Sequence, residues 1–173
     1  MQLYQRLLGA SFERLPPALR RFHAQPGGTA TFALAVTREP GFLHAAAAAL
    51  MGLPGASARA QGTLVVRAEG DREVWERSFP DTTLTTVQWI DRGRLVEARG
   101  PMQVLFDVTA DEGGMRFEPV ACRCLGAWIP RPFAPRFSST VRGAATSWDL
   151  LVTIAVPGLG PLASYRGAVT PLP

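Results

Sequence analysis

Short stretches in which apolar and polar residues alternate run through the chain from about residue 29 onward. A period of two is typical of strands with one buried face, because successive side chains of a strand point to opposite sides of the sheet. In residues 102–109, apolar side chains occupy every even position from Met102 to Val108, with Gln103 and Asp107 between them. This segment is therefore a predicted strand whose Phe106 points into the core. The pattern predicts strands over 29–38, 63–69, 73–79, 84–90, 94–99, 102–109, 115–125, 141–156 and 162–170.

The segments between these strands are short and rich in Gly, Pro and Asp, as at Gly70-Asp71 and at 111–114. Connections of this kind join antiparallel neighbours, and no helical pattern intervenes that could carry a parallel crossover. Consecutive antiparallel strands leave two exposed edges unless the sheet curls. The sequence predicts one mainly β domain over 1–173. We expect an antiparallel β-barrel or a strongly curved half-barrel sheet with two or three short N-terminal helices.

Two parts of the chain carry helical patterns. The spacing of Leu3, Tyr4, Leu7 and Leu8 is typical of one helix face, and residues 1–28 are predicted to form a helical segment packed on the sheet. Residues 42–51 are almost entirely apolar, with five consecutive Ala, which favours a helix. We favour a helix that packs across the sheet or closes a barrel end. The alternative is a mobile lid or a membrane-surface helix, which should carry cations on its polar face, where this one offers only His44.

The charge of the chain is positive, at +4 over 173 residues, with a sequence pI near 10.0. All 18 cationic residues are Arg, and many have an acidic neighbour, as Arg72 does between Asp71 and Glu73. No basic stripe and no platform of aromatic and basic residues is present, which disfavours nucleic acid as a partner.

The cysteines, Cys122 and Cys124, are the only two in the chain and lie two residues apart. On a strand they point the same way, so we interpret them as reduced, small apolar side chains rather than a disulfide. His23 and His44 do not lie at metal-ligand spacing, and we expect neither a metal nor a cofactor. The N-terminus lacks the features of a signal peptide, and no apolar run is long enough to span a bilayer, so we expect a cytoplasmic protein without a transmembrane segment.

Five segments, in this order, resemble a bacterial family of uncharacterised domains, domain of unknown function 4166. The segments are LYQRLLGASFERLPPALRRFH, GDREVWERSF, GRLVEARGP, GAWIPRPFAPR and PGLGPLASYRGAV. Members are stand-alone proteins or C-terminal partners of NAD(P)-binding oxidoreductases of the saccharopine-dehydrogenase or short-chain type. The resemblance implies a partnership with such an oxidoreductase. The chain carries no dinucleotide fingerprint of its own.

Several polar-tipped side chains share strand faces with apolar residues. Trp75 and Arg77 lie on one face of their strand, Glu97 and Arg99 on one face of theirs, and Tyr165 alternates with small residues. Because an unpaired buried charge is costly, we expect Glu97 to pair with an Arg on an adjacent strand. The candidate ligand-binding residues are Trp75, Arg77, Glu97, Arg99, Phe106, Tyr165 and Arg166.

These side chains allow more than one function. The leading hypothesis is a non-catalytic binding or accessory domain for a small, largely apolar or amphipathic ligand, in partnership with an oxidoreductase. An alternative is a small isomerase- or hydrolase-type enzyme that uses Glu97 and Tyr165 for acid–base work, and another is a structural protein-interaction domain. An Arg–Glu pair that only ties strands together explains the same residues. The segment 130–135, with Trp128 and Phe133, is interpreted as a strand-to-strand corner, with a pocket rim as the alternative.

Overall fold

The computed structural model describes residues 1–173, and it is a closed antiparallel β-barrel with three short α-helices. Its helices are α1 (Leu3–Leu8), α2 (Pro17–His23) and α3 (Phe42–Leu50), with 3-10 helices at Gly9–Arg14 and Arg131–Phe133. The strands are β1 (Gly27–Arg38), β2 (Ser57–Glu69), β3 (Arg72–Ser78), β4 (Thr83–Asp91), β5 (Arg94–Arg99), β6 (Met102–Asp111), β7 (Gly114–Cys124), β8 (Ala127–Ile129), β9 (Arg136–Gly143), β10 (Trp148–Val156) and β11 (Gly160–Pro171). None of the helices has the length and apolarity needed to cross a bilayer.

The strands pair in the order β6-β5-β4-β3-β2-β1-β11-β10-β9-β7, and β7 pairs again with β6, which closes the barrel. Every pairing is antiparallel. The edge of β7 that faces away from β6 pairs with two strands: β9 pairs with residues 114–117 of β7, and β8 pairs with residues 122–124. Closure removes the two exposed edges that an open sheet of these strands would present. The predicted fold class is confirmed, in its closed form.

One end of the barrel, the helical end, is filled by the N-terminal helices. Tyr4 of α1 and Phe22 of α2 are buried, and the Tyr4 hydroxyl donates a 2.9 Å hydrogen bond to Oε1 of Gln88 on β4. The Phe22 ring lies so close to β1 that a Cβ added at Gly28 would sit 2.8 Å from it. The helical end is therefore a packed aromatic core, and Gly28 makes room for it.

The opposite end is the lid end, named for α3, which connects β1 to β2 across it. An imidazole nitrogen of His44 lies 3.1 Å from the carbonyl oxygen of Leu159, in the β10–β11 turn. At the other end of the helix, Gly52 packs against the guanidinium of Arg99 on β5. Since β10 and β5 lie four strands apart around the ten-stranded barrel, α3 crosses its mouth. The helix predicted over 42–51 is present, but Ala48 is its only buried residue, so α3 spans this end while its outer face stays exposed.

Several details of the predicted strands are wrong: β8 was not predicted, and β9 begins at Arg136, before the strand predicted from 141. Residues 141–156 are not one strand but parts of β9 and β10, joined by a turn in which the Ala144 amide donates to the Ser147 carbonyl at 2.8 Å. The strand β2 begins at Ser57, before the start of the strand predicted over 63–69. The turn between β9 and β10 contains neither Pro nor Asp–Gly, and only Gly143 marks it, whereas Pro54 and Gly55 do precede β2.

Candidate functional site

The register of the barrel places three of the polar residues singled out from the sequence, Arg77, Glu97 and Tyr165, on its inner face. Arg77 on β3 lies beside Leu64, and Glu97 on β5 lies beside Val104. Tyr165 on β11 lies between Val36 and Val152 of its two neighbouring strands. Side chains paired directly across an antiparallel sheet point to the same face, so all three belong to the interior.

Arg77 is the centre of the polar cluster. One guanidinium nitrogen donates to Oε1 of Glu97 at 3.2 Å, and another donates to Oγ1 of Thr86 at 2.9 Å. The guanidinium also lies 5.1 Å from the centre of the Trp75 ring, within the range of a cation–π contact. Glu97 is thus paired with an Arg, although on the next strand but one rather than on an adjacent strand. About a quarter of each side chain is exposed, 23% for Arg77 and 26% for Glu97, so the pair is only partly desolvated.

Tyr165 is the residue whose hydrogen bonding is incomplete. Its side chain is buried, with 7% exposed, and its hydroxyl has no protein hydrogen-bond partner. Burial raises the pKa of this hydroxyl, while the positive charges of Arg38, Arg99 and Arg77 act to lower it. The tyrosine ring packs 6.2 Å from the ring of Phe79, between centres. A buried hydroxyl without a partner is costly, so this position is suited to an external hydrogen-bonding group.

Arg99 provides a positive charge that no carboxylate neutralises. No acidic oxygen lies within 4.0 Å of its guanidinium, in contrast to Arg77. Burial lowers the pKa of Arg99, and Tyr165 acts in the opposite direction. Gly52, directly after α3, leaves the space that the guanidinium occupies. The lid end therefore holds a cationic group and an unpartnered hydroxyl beneath one helix.

The arrangement does not join Glu97 to Tyr165. The carboxylate accepts its hydrogen bond from Arg77, and the Tyr165 hydroxyl has no partner at all. An acid–base pair needs its groups within hydrogen-bond reach of one another or of a shared substrate atom. The geometry offers charge and hydrogen bonding for an anion rather than a preformed acid–base pair.

Two other candidate residues lie away from this cluster. Phe106 points inward, as predicted, but at the helical end, where its ring contacts that of Phe117 with 6.3 Å between centres. Arg166 is exposed on the outer face of β11, because it follows the inward-facing Tyr165. Phe106 thus belongs to the core, and Arg166 is not part of the interior cluster.

Trp75 lies at the boundary between the cluster and the helical end. Its indole nitrogen donates to Oε2 of Glu73 at 3.0 Å, and its ring stacks on His23 with 5.8 Å between centres. Burial raises the pKa of Glu73 and lowers that of His23 to about 3. Sequence reasoning missed Glu73 and His23. Glu73 lies two residues before Trp75 on the same strand, so the sequence already predicted that both point to the same face. No feature of the sequence predicted that His23 would be part of this cluster.

A surface pocket of about 760 Å³ lies where β7 and β9 diverge. Trp128 and Arg131 form one wall, so the segment interpreted as a corner also forms a pocket rim. The guanidinium of Arg123 covers the Trp128 ring at 3.9 Å from its centre. Cys122 lines the same pocket, and both cysteines are free thiols. Stacking therefore holds the rim in place, and of the two cysteines only Cys122 is buried.

The sequence model of a family described as "Domain of unknown function (DUF4166)" matches residues 15–169. No curated protein matches the sequence. Among solved structures, the chain is similar to a crystal structure of a protein with unknown function from the DUF3598 family of Nostoc punctiforme, with a TM-score of 0.51 and 13% sequence identity. The match covers 84% of this chain and 47% of that chain, so this chain spans about half the length of its structural neighbour. At this identity the likeness shows the fold alone.

Proposed function

The chain belongs to this family of domains of unknown function, and we propose that its barrel binds a small amphipathic molecule whose anionic group lies beside Tyr165 and Arg99. The observation that carries the proposal is the buried Tyr165 hydroxyl without a protein partner. Arg99, which has no carboxylate partner, adds the charge that favours an anion over a neutral group. The ligand class is a carboxylate with an aliphatic or aromatic tail.

The apolar surroundings of Tyr165 support a tail of this kind. Phe79 packs against Tyr165 on one side and against Phe32 on the other, with 4.8 Å between the two phenylalanine ring centres. A tail that buries about 300 Å² of its surface gains roughly 7 kcal/mol before association costs are subtracted. The expected dissociation constant is therefore on the order of micromolar to millimolar. The polar contacts of the anionic group determine where in that range the affinity lies.

The test is a titration with a fatty acid and with the alcohol of the same chain length, followed by tryptophan fluorescence and calorimetry. We expect the acid to bind, and Arg99→Gln to weaken it about tenfold, because a charge-assisted hydrogen bond is lost. The alcohol should bind equally to both proteins. Arg166→Gln is the matched control, since it removes an Arg from the same barrel on its outer face. Equal affinity of the acid for wild type and Arg99→Gln, or no binding at all, would contradict the proposal.

The resemblance to domains that accompany NAD(P)-binding oxidoreductases supports a second part of the proposal, in which the barrel presents its ligand to such an enzyme. The chain has no dinucleotide fingerprint, so the redox step belongs to the partner. The measurement is the KM of a short-chain or saccharopine-dehydrogenase-type oxidoreductase for an amphipathic substrate, with and without the barrel protein. An unchanged KM at saturating barrel protein argues against this part and leaves the ligand-binding proposal standing.

A further inference from the structure

The large exposed apolar side chains gather at the lid end. The outward face of α3 presents Phe42, Leu43 and Leu50, and Leu50 has 91% of its surface exposed. Leu125, Trp128 and Phe133 are exposed on the connection between β7 and β9, which lies at the same end. Elsewhere only Met1, Leu151 and Leu172 are comparable, and two of these belong to the chain termini. A concentration of this size marks an interaction surface.

The two faces of α3 have separate roles. Ala48 is buried against the barrel mouth, and Ala47 packs on the core beside it. The opposite face, with Leu43 and Leu50 seven residues apart, points away from the barrel and is covered by no other part of the chain. The helix is therefore apolar on both sides because one side closes the barrel while the other is left for a partner.

Charge distinguishes the kinds of partner. The lid end carries Arg38, Arg59, Arg131 and Arg136 in the strand ends and connections around α3, and two acidic residues, Glu39 and Asp81. None of these four Arg forms a salt bridge. Arg123 is paired with Asp91 at 3.6 Å, and Arg99 lies beneath the helix, so neither is counted here. An apolar centre with cations around it matches an anionic surface that is apolar beneath.

We propose that the lid end docks on a lipid bilayer that contains anionic headgroups, with Phe42, Leu43 and Leu50 inserted at the boundary between headgroups and acyl chains. The absence of cations on α3 itself does not oppose this, because the surrounding loops supply them. A second copy of the chain fits this surface less well. A two-fold dimer through the lid end would bring its Arg residues against their own equivalents. The inference does not depend on the identity of the interior ligand.

Co-sedimentation with vesicles tests the proposal. The purified full chain is mixed with vesicles of phosphatidylcholine alone or of phosphatidylcholine with phosphatidylglycerol. We expect binding to the phosphatidylglycerol vesicles that weakens as salt is raised, with a blue shift of Trp128 fluorescence that Trp128→Phe abolishes. Leu50→Ser should lower the partition coefficient about tenfold or more, since a buried leucine is lost from the bilayer. Because Leu50 is exposed, the thermal unfolding of the Leu50→Ser variant should match that of wild type.

Leu151→Ser is the matched control, since Leu151 is also an exposed leucine but lies on the outer wall of β10. This variant should bind vesicles as wild type does. The proposal is overturned if wild type stays in the supernatant with both vesicle types, or if Leu50→Ser and Leu151→Ser bind equally. A concentration-dependent dimer, seen by light scattering and abolished by Leu50→Ser, would assign the surface to a second copy instead.

Discussion

The pH dependence of stability should depend on His23, one of only two histidines in the chain. His23 is buried between the rings of Tyr4 and Phe22, at 4.1 Å and 5.4 Å between ring centres. Burial lowers the pKa of its imidazole to about 3, because the charged form would lose its hydration. The unfolded chain binds a proton at this residue near pH 6.5, whereas the native protein does not.

The sign and size of the effect follow from this difference. As pH falls below about 6.5, the unfolded state takes up a proton that the folded state refuses, so stability is lost. Each pH unit within the window costs about 1.4 kcal/mol, so the loss between pH 6.5 and pH 5 is about 2 kcal/mol. Glu73 acts in the opposite direction. Burial raises its pKa, so the native carboxyl retains a proton to higher pH than the unfolded chain does, and Glu73→Gln should steepen the acid loss.

Urea unfolding followed by circular dichroism at half-unit steps from pH 7.5 to pH 5 measures this slope. His23→Phe should flatten it, because the titrating group is removed while an aromatic ring remains in the cluster. A flat wild-type profile, or an equal slope in His23→Phe, would refute the reasoning that His23 stays neutral in the folded state.

Three further substitutions test the core and the interior cluster. Phe106→Ala should reduce the free energy of unfolding by about 3–5 kcal/mol in urea melts, and a loss below about 1 kcal/mol would show that its face is not core. Tyr165→Phe should stabilise the ligand-free protein by about 1–2 kcal/mol, because a buried hydroxyl without a partner is removed, and a destabilised variant would mean that the hydroxyl is already satisfied. Glu97→Gln should cost about 1–2 kcal/mol, because the Arg77 charge is left without its carboxylate, and no change would show that the pair is screened by solvent.

Strand faces were the most predictable part of this protein. The period-two pattern of β6 placed Phe106 inside, and the same parity put Trp75 and Arg77 together on β3. Including Arg166 among the candidate ligand-binding residues was wrong, because a residue next to Tyr165 on a strand points to the opposite face. Parity states which residues share a face of one strand, whereas closure of the barrel decides that the faces of β3, β5 and β11 meet.

Helix placement was less predictable, for a physical reason. An almost entirely apolar helix such as α3 has no polar face to mark the side that faces water, so its sequence is compatible with burial or exposure. The path of α1 into the helical end depends on long-range contacts, such as that of Tyr4 with Gln88. The division of 141–156 into two strands depends on a turn through Ala144 and Ser147, residues that do not demand a turn.

Three features that work against stability lie at the lid end or directly beneath it. Tyr165 keeps an unpartnered hydroxyl, Arg99 keeps an unpaired charge, and Leu50 exposes an apolar side chain. At the helical end, by contrast, the Tyr4 hydroxyl and the Trp75 indole both have partners within an aromatic core. Proteins retain locally unfavourable groups where function requires them and compensate elsewhere. The helical end therefore supplies the stability that allows the lid end to keep an unsatisfied interior and an apolar surface, which is why substitutions at Tyr165 and Phe106 should change stability in opposite directions.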